Sequence, residues 1–204
     1  MPRPARHLVL ASSSPRRQDL LRQAGYRFVV QPPGEIDERL ASHAPTPGAF
    51  VESLAYLKAT EAVDLHGLTE GLVLAADTAV ELDGRLIGKP ADEADARRIL
   101  AALAGSTHHV LTGLALVDVA ARRRWIAHDV TVVRMRPMSA AEIEAYVASG
   151  EALGKAGAYA LQETGDRYVE AIEGSYTNVV GLPMELLERM LKAAGHDPSE
   201  FRDL

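Results

Sequence analysis

Short apolar runs and amphipathic stretches alternate along most of this chain. His7-Leu8-Val9-Leu10 predicts a short buried strand, and Gln18 to Gly25 predicts a helix with leucines at 20 and 21 and a glycine stop. Between them lies the polar turn Ala11-Ser12-Ser13-Ser14-Pro15-Arg16-Arg17, where Ser14 suits an N-cap and Pro15 the first helical position. Phe28-Val29-Val30 reads as a second strand. Thr46-Pro47 opens a helix running to about His66, with an apolar stripe of Phe50, Leu54, Leu57 and Val63. Lys58 falls beside Leu54 and Leu57 at helical spacing, at the edge of that stripe. Gly71-Leu72-Val73-Leu74-Ala75-Ala76 predicts a buried strand that ends at Asp77-Thr78. Ala79 to Leu82 and Arg85 to Ile87 then form a hairpin around Asp83-Gly84, leading into Gly88-Lys89-Pro90.

The second half continues in the same way. A helix from Asp92 to Ala104 is followed by two long strands, Thr107 to Val119 and Arg124 to Met135, expected to pair antiparallel. His108 and His109 then point to opposite faces and cannot share a metal. Ser139-Ala140-Ala141-Glu142 is a capping box before a helix closed by Gly150. The small-residue segment Gly154 to Gln162 permits close backbone approach to a ligand. Tyr168 to Ile172 reads as a strand, and a last amphipathic helix runs to about Ala194, with a loosely held tail after Gly195. The expectation is an α/β protein forming a single domain over residues 1–204, uninterrupted by repeats or a linker.

Composition narrows the chemistry. The chain of 204 residues is 47% hydrophobic and has no cysteine, which excludes disulfides, thiolate catalysis and Cys-based zinc sites. Its formal net charge of −6 argues against a nucleic-acid binder. The apolar run after the basic Met1 to Arg6 is too short for a signal peptide or a membrane span, so the cytoplasm is expected.

The polar stops suggest an anionic ligand. A helix start presents unpaired N–H groups, and the hydroxyls of Ser12 to Ser14 with Arg16 and Arg17 add donors that match phosphate geometry. The alternative is an N-cap serine beside solvated arginines. The loop Pro32 to Glu38 carries Glu35, Asp37 and Glu38, either solvated or available to a hard divalent cation. Asp77 is either a strand-end catalytic carboxylate or a turn cap. With Lys58, Lys89 and Lys155, these groups suit in-line attack on phosphorus, where charge stabilisation does most of the catalysis.

In these motifs the chain resembles the Maf proteins, a family of nucleoside triphosphate pyrophosphatases. The resemblance runs from Leu8 to about Leu191. It rests on Leu10-Ala11-Ser12-Ser13-Ser14-Pro15-Arg16-Arg17, Ile36-Asp37-Glu38, Ala76-Asp77-Thr78, Gly88-Lys89-Pro90, Lys155-Ala156-Gly157-Ala158-Tyr159 with Gln162, and Gly174-Ser175-Tyr176 through Val179-Val180-Gly181-Leu182-Pro183. It implies a mixed twisted sheet in two lobes around a central cleft, akin to inosine triphosphate pyrophosphatases. It also implies a divalent cation (Mg²⁺ or Mn²⁺), frequently a homodimer, and hydrolysis of nucleoside triphosphates to monophosphate and pyrophosphate. The family is linked to nucleotide-pool cleansing and septum formation. By position, Asp77 would be the general base, with Lys89 and Glu38 also in the catalytic set and Asp77 and Glu38 holding the metal. Ser12, Arg17, Lys58 and Lys89 would hold the triphosphate. Arg16, Thr78 and Gln162 match the trio that marks the dTTP/UTP branch rather than the 7-methyl-GTP branch. Two positions depart from the family pattern: Gly154 stands where an aspartate is usual, and Ala160-Leu161-Gln162-Glu163 stands for Gly-Ile-Gln-Gly. The first leaves room for a nucleotide-binding regulator of division with little turnover.

Overall fold

The computed structural model describes residues 7–161 and 164–202. A seven-stranded mixed sheet forms its centre, in the order β2-β1-β3-β5-β6-β7, with β4 paired to β3. Strands β1 (Leu8–Leu10), β2 (Phe28–Val30) and the start of β3 (Leu72–Leu82) are parallel. β4 (Arg85–Ile87), β5 (Thr107–Asp118), β6 (Arg123–Met135) and β7 (Val169–Glu173) join by antiparallel pairing. Parallel strands need a crossover, supplied here by α1 (Pro15–Gln23) and α2 (Pro47–Leu65).

Period-2 alternation along β3 sorts its side chains to two faces. Leu72, Leu74 and Ala76 join a core with Leu20 and Leu21 of α1 and Leu187 and Leu191 of α6 (Met184–Ala193). On the same face, Val80 enters a second core with Ile99 and Leu103 of α3 (Glu93–Leu103) and Tyr146 of α4 (Ala140–Ala148). Val73 and Ala75 face the other way, onto Ala55, Ala59 and Ala62 of α2. Thr78 therefore lies between two cores on one face, covered by the short helix α5 (Tyr176–Val180), and Asp77 lies on the α2 side.

Most predicted elements form, including the Asp83-Gly84 hairpin and the Ser139–Glu142 capping box. Four details differ. β3 does not end at Asp77: Ala79 to Leu82 continue it, because β5 pairs with it from Leu72 to Glu81. The buried stripe of α2 is Val51, Leu54, Ala55, Ala59 and Ala62, since alanines allow the helix to lie close to the sheet. Helix α5 was absent from the sequence pattern. The tail is docked rather than loose: Phe201 is buried in the first core, and its carbonyl accepts from Arg27 N at 2.7 Å. Met1 to Arg6 lie outside the described residues.

Candidate active site

The topology leaves a notch in the sheet. The last residue of β1, Leu10, pairs with Leu74, whereas β4 covers the same edge of β3 only from Val80 to Leu82. The edge from Ala75 to Ala79 has no strand partner on that side, and Asp77 and Thr78 stand in its middle. A cleft of about 670 Å³ opens over this notch. The Ser12–Arg17 turn forms one wall, and the Leu153–Leu161 segment forms the other.

The structure places Ser12, Arg16, Arg17, Glu38, Lys58, Asp77, Thr78 and Lys89 around this cleft, so side chains spread over 78 residues of sequence share one cavity. Gln162 lies outside the described residues, as does Glu163. Lys155 also lines the cleft, and Gly154 beside it has a positive φ of 74° and open space where a Cβ would project.

Asp77 is nearly buried, at 8% exposure. Its Oδ1 accepts from Lys58 Nζ at 2.5 Å, and both side chains are largely shielded. The α2 stripe explains this pairing. Ala55, Ala59 and Ala62 bring the helix down onto β3 and β5, and at Gly113 of β5 an added Cβ would meet the Val51 carbonyl at 2.4 Å. Lys58 is thereby lowered to the carboxylate.

Arg17 reaches the cleft from the third residue of α1. Its Nε donates to the Gly181 carbonyl at 2.7 Å, one terminal nitrogen to Ser12 Oγ at 3.2 Å, and the other to Thr78 Oγ1 at 3.1 Å. A guanidinium has five N–H donors, so two remain. Burial lowers its pKa and the Asp77 carboxylate opposes that shift; the group stays a cation at any ordinary pH. Gly181 caps α5 with a left-handed φ of 119°, which a residue with a Cβ rarely adopts. The Ser14 side chain makes no capping hydrogen bond, although Ser14 is the N-cap of α1. Its backbone N–H donates instead to Ser12 Oγ at 3.2 Å. Glu38, in the first turn of a 3₁₀ helix over Glu38–Ala41, and Lys89, after β4, are exposed at the rim.

A family model with the description Maf-like protein matches residues 7–194. The chain belongs to the Maf-like protein family. Among curated relatives of this Maf-like chain, a dTTP/UTP pyrophosphatase of Moorella thermoacetica is 48% identical over 190 residues, covering 93% of this chain and 96% of that protein. A dTTP/UTP pyrophosphatase of Symbiobacterium thermophilum is likewise 48% identical, covering 93% and 94%. Among solved structures, a nucleoside-triphosphatase (dITP/XTP pyrophosphatase) from Mycobacterium abscessus is 17% identical over 92% of this chain and 94% of that one, with a TM-score of 0.42. That likeness is too low to add to the fold described above.

Sequence reasoning missed several participants. Gly181 offers only a backbone carbonyl, which no side-chain pattern marks. Thr112, buried at 0% exposure behind Thr78, looked like one more strand residue. His108, also fully buried, pairs through Nε2 with the Tyr159 hydroxyl at 2.8 Å and so ties β5 to the far wall of the cleft. Burial pushes the His108 pKa down to about 4 and raises that of Tyr159. An apolar strand carrying an inward histidine was the available signal for this pair.

Proposed function

We propose that this Maf-like chain hydrolyses nucleoside triphosphates, with preference for dTTP and UTP, to the monophosphate and pyrophosphate. The observation that carries the reading is the partly buried Asp77–Lys58 pair at the floor of a cleft whose walls hold Arg17, Arg16 and Lys89. The curated relatives named above support the choice of substrate.

In this proposal the triphosphate lies along the notch. Lys89 and Arg16 meet phosphate charge from the rim, and the two remaining N–H groups of Arg17 meet it from below. Lys58 occupies Asp77 Oδ1, which leaves Oδ2 to take the proton of an attacking water. The water oxygen bonds to the α-phosphorus, the bridging oxygen leaves with the β-phosphate, and pyrophosphate carries off the charge that the cations stabilise. Ser12 Oγ, which accepts from Arg17 and from Ser14 N, holds the turn in shape.

Asp77 and Glu38 are the residues proposed to hold a divalent cation. Among the described residues there is no cluster of three or more ligating side chains. Two carboxylates on one cleft nevertheless fit Mg²⁺, which commonly takes one or two carboxylates and completes its shell with substrate phosphates and water. Such an ion, when bound, would neutralise phosphate charge and align the triphosphate. Base selection is assigned to Arg16, Thr78 and Gln162. A single domain, a homodimer and a cytoplasmic location belong to the same proposal. No helix among the described residues is long and apolar enough to cross a membrane.

Gly154 favours a second reading, a nucleotide-binding regulator of cell division with low turnover, because a carboxylate usual in the family is missing from the cleft wall. Pyrophosphate release measured on dTTP, UTP, CTP, GTP and 7-methyl-GTP, with and without Mg²⁺ or Mn²⁺, decides between them. Turnover concentrated on dTTP and UTP is expected. Binding without turnover supports the regulator, and preference for 7-methyl-GTP overturns the base assignment.

A further inference from the structure

Thr78 and Thr112 are cross-strand neighbours in the β3–β5 register and point to the same face. Their hydroxyls are 2.9 Å apart, and Thr112 Oγ1 also donates to the Asn178 carbonyl at 2.9 Å. A hydroxyl has one proton to give. Thr112 spends its proton on Asn178, so the hydrogen bond between the threonines must be donated by Thr78. Thr78 Oγ1 in turn accepts from Arg17 at 3.1 Å. The polarity of the chain is thereby fixed: Arg17 donates to Thr78, Thr78 to Thr112, and Thr112 to a backbone carbonyl of α5.

The far end of this chain is held firmly. Asn178 is fully buried and its Nδ2 donates to the Val110 carbonyl at 2.9 Å and to Thr131 Oγ1 at 3.0 Å, fastening α5 to β5 and β6. The C-cap of the same helix, Gly181, supplies the one carbonyl that accepts from Arg17 directly among the described residues. Two of the three hydrogen bonds that hold the guanidinium therefore lead back to α5, and the third goes to Ser12.

We propose that Thr112 is a positioning residue for the phosphate-binding Arg17, acting through Thr78. The inference rests on the phosphate reading of the cleft. A further consequence is that the Thr78 hydroxyl, whose proton points inward to Thr112, can meet a nucleobase only as an acceptor, through the lone pair that Arg17 leaves free.

Thr112→Val keeps the shape and removes both hydrogen bonds. The Asn178 carbonyl still accepts from Gly181 N at 3.0 Å, so α5 is not left with an orphaned acceptor. The test is a double-mutant cycle read by kcat/KM on dTTP and by calorimetric titration with pyrophosphate. Thr112→Val is expected to lower kcat/KM and pyrophosphate affinity roughly tenfold, the scale of one or two neutral hydrogen bonds. Thr112→Ser is expected to restore both, and Thr112→Val in an Arg17→Lys background is expected to cost nothing further. Equal losses in the two backgrounds, or a fall in melting temperature with pyrophosphate affinity unchanged, overturn the proposal. Should Thr112→Val not fold, Thr78→Val breaks the same chain and must show the same coupling. A wild-type chain that hydrolyses no nucleoside triphosphate refutes the hydrolase reading, while the pyrophosphate titration still judges the role of Thr112 by itself.

Discussion

Gly113→Ala tests whether the height of α2 above the sheet sets the site. Gly113 lies on β5, and a methyl group there would meet Val51 C and O at 2.4 Å and Glu52 N at 2.6 Å, all of them backbone atoms. Ordinary contact begins at 3.4 Å, so α2 has to retreat by about 1 Å. Backbone cannot yield as a side-chain tip does, and overpacking of this kind costs roughly 1–3 kcal/mol. For a protein of this size that corresponds to a fall in Tm of roughly 2–12 °C. Lys58 follows Val51 by two helical turns and so shares its face of α2. The retreat stretches the 2.5 Å contact with Asp77 past hydrogen-bonding distance unless the lysine stem re-extends. A misplacement of 1 Å in a catalytic group costs on the order of 100-fold in rate. Differential scanning fluorimetry gives the first quantity and pyrophosphate release from dTTP the second. A variant with wild-type Tm shows that α2 does not rest on Gly113. A lowered Tm with unchanged kcat/KM shows that helix height does not position Lys58, and the reasoning fails.

Other substitutions separate chemistry from architecture. Asp77→Asn keeps an acceptor for Lys58 but cannot take a proton, so kcat on dTTP is expected to fall by about 10²- to 10⁴-fold with the far-UV circular dichroism unchanged; near-normal turnover would assign the base elsewhere. Lys89 has no hydrogen bond or ion pair among the described residues. Lys89→Ala should therefore lower kcat/KM by roughly 100-fold without changing Tm, whereas Arg17→Ala, which empties three hydrogen bonds, should lower both. His108 is kept neutral by burial, with its pKa pushed down to about 4. The unfolded chain takes up a proton at His108 below pH 6.5 and the folded chain does not, so stability falls as pH drops from about 6.5 to 4. Urea titrations at pH 7 and pH 5 should show roughly 2 kcal/mol less acid destabilisation in His108→Gln than in the wild type; parallel losses would mean the buried ring does not govern that range.

The long strands, the hairpin and the capped helices were legible because each carries local chemistry: the mostly apolar run from Val110 to Val117 on β5, Asp83-Gly84 at the turn, Ser139 with Glu142 at α4. The residues around the cleft were legible as polar interruptions of apolar runs. What escaped is set by partners remote in sequence. The strand could not be seen to run through Asp77, because its continuation depends on ten consecutive pairings with β5. The alanine face of α2 is silent in a hydrophobicity pattern, yet it brings Lys58 to its carboxylate. Helix α5 is five residues long and its buried Asn178 breaks an apolar reading, so only packing against β5 and β6 reveals it. The docked tail depends on one phenylalanine, Phe201, finding a core whose members reach back to Leu8, Leu21 and Tyr26 at the other end of the chain.

β3, β5 and β6 each contribute side chains to the cores at both ends of the molecule. The two ends are thus not modules joined by a seam; they are spliced along the same three backbones. A cut at the Asp83-Gly84 turn would strip β5 from β3 and expose a long apolar edge, the kind that recruits other chains. Neither fragment would keep a complete core, and neither end can be exchanged for that of another protein without replacing the strands themselves. Opening of the cleft by rotation about a hinge would mean bending three hydrogen-bonded strands at once. The floor bearing Asp77 is therefore fixed, and so is the wall that Tyr159 ties to His108 of β5, which leaves substrate entry to the exposed loop before α2.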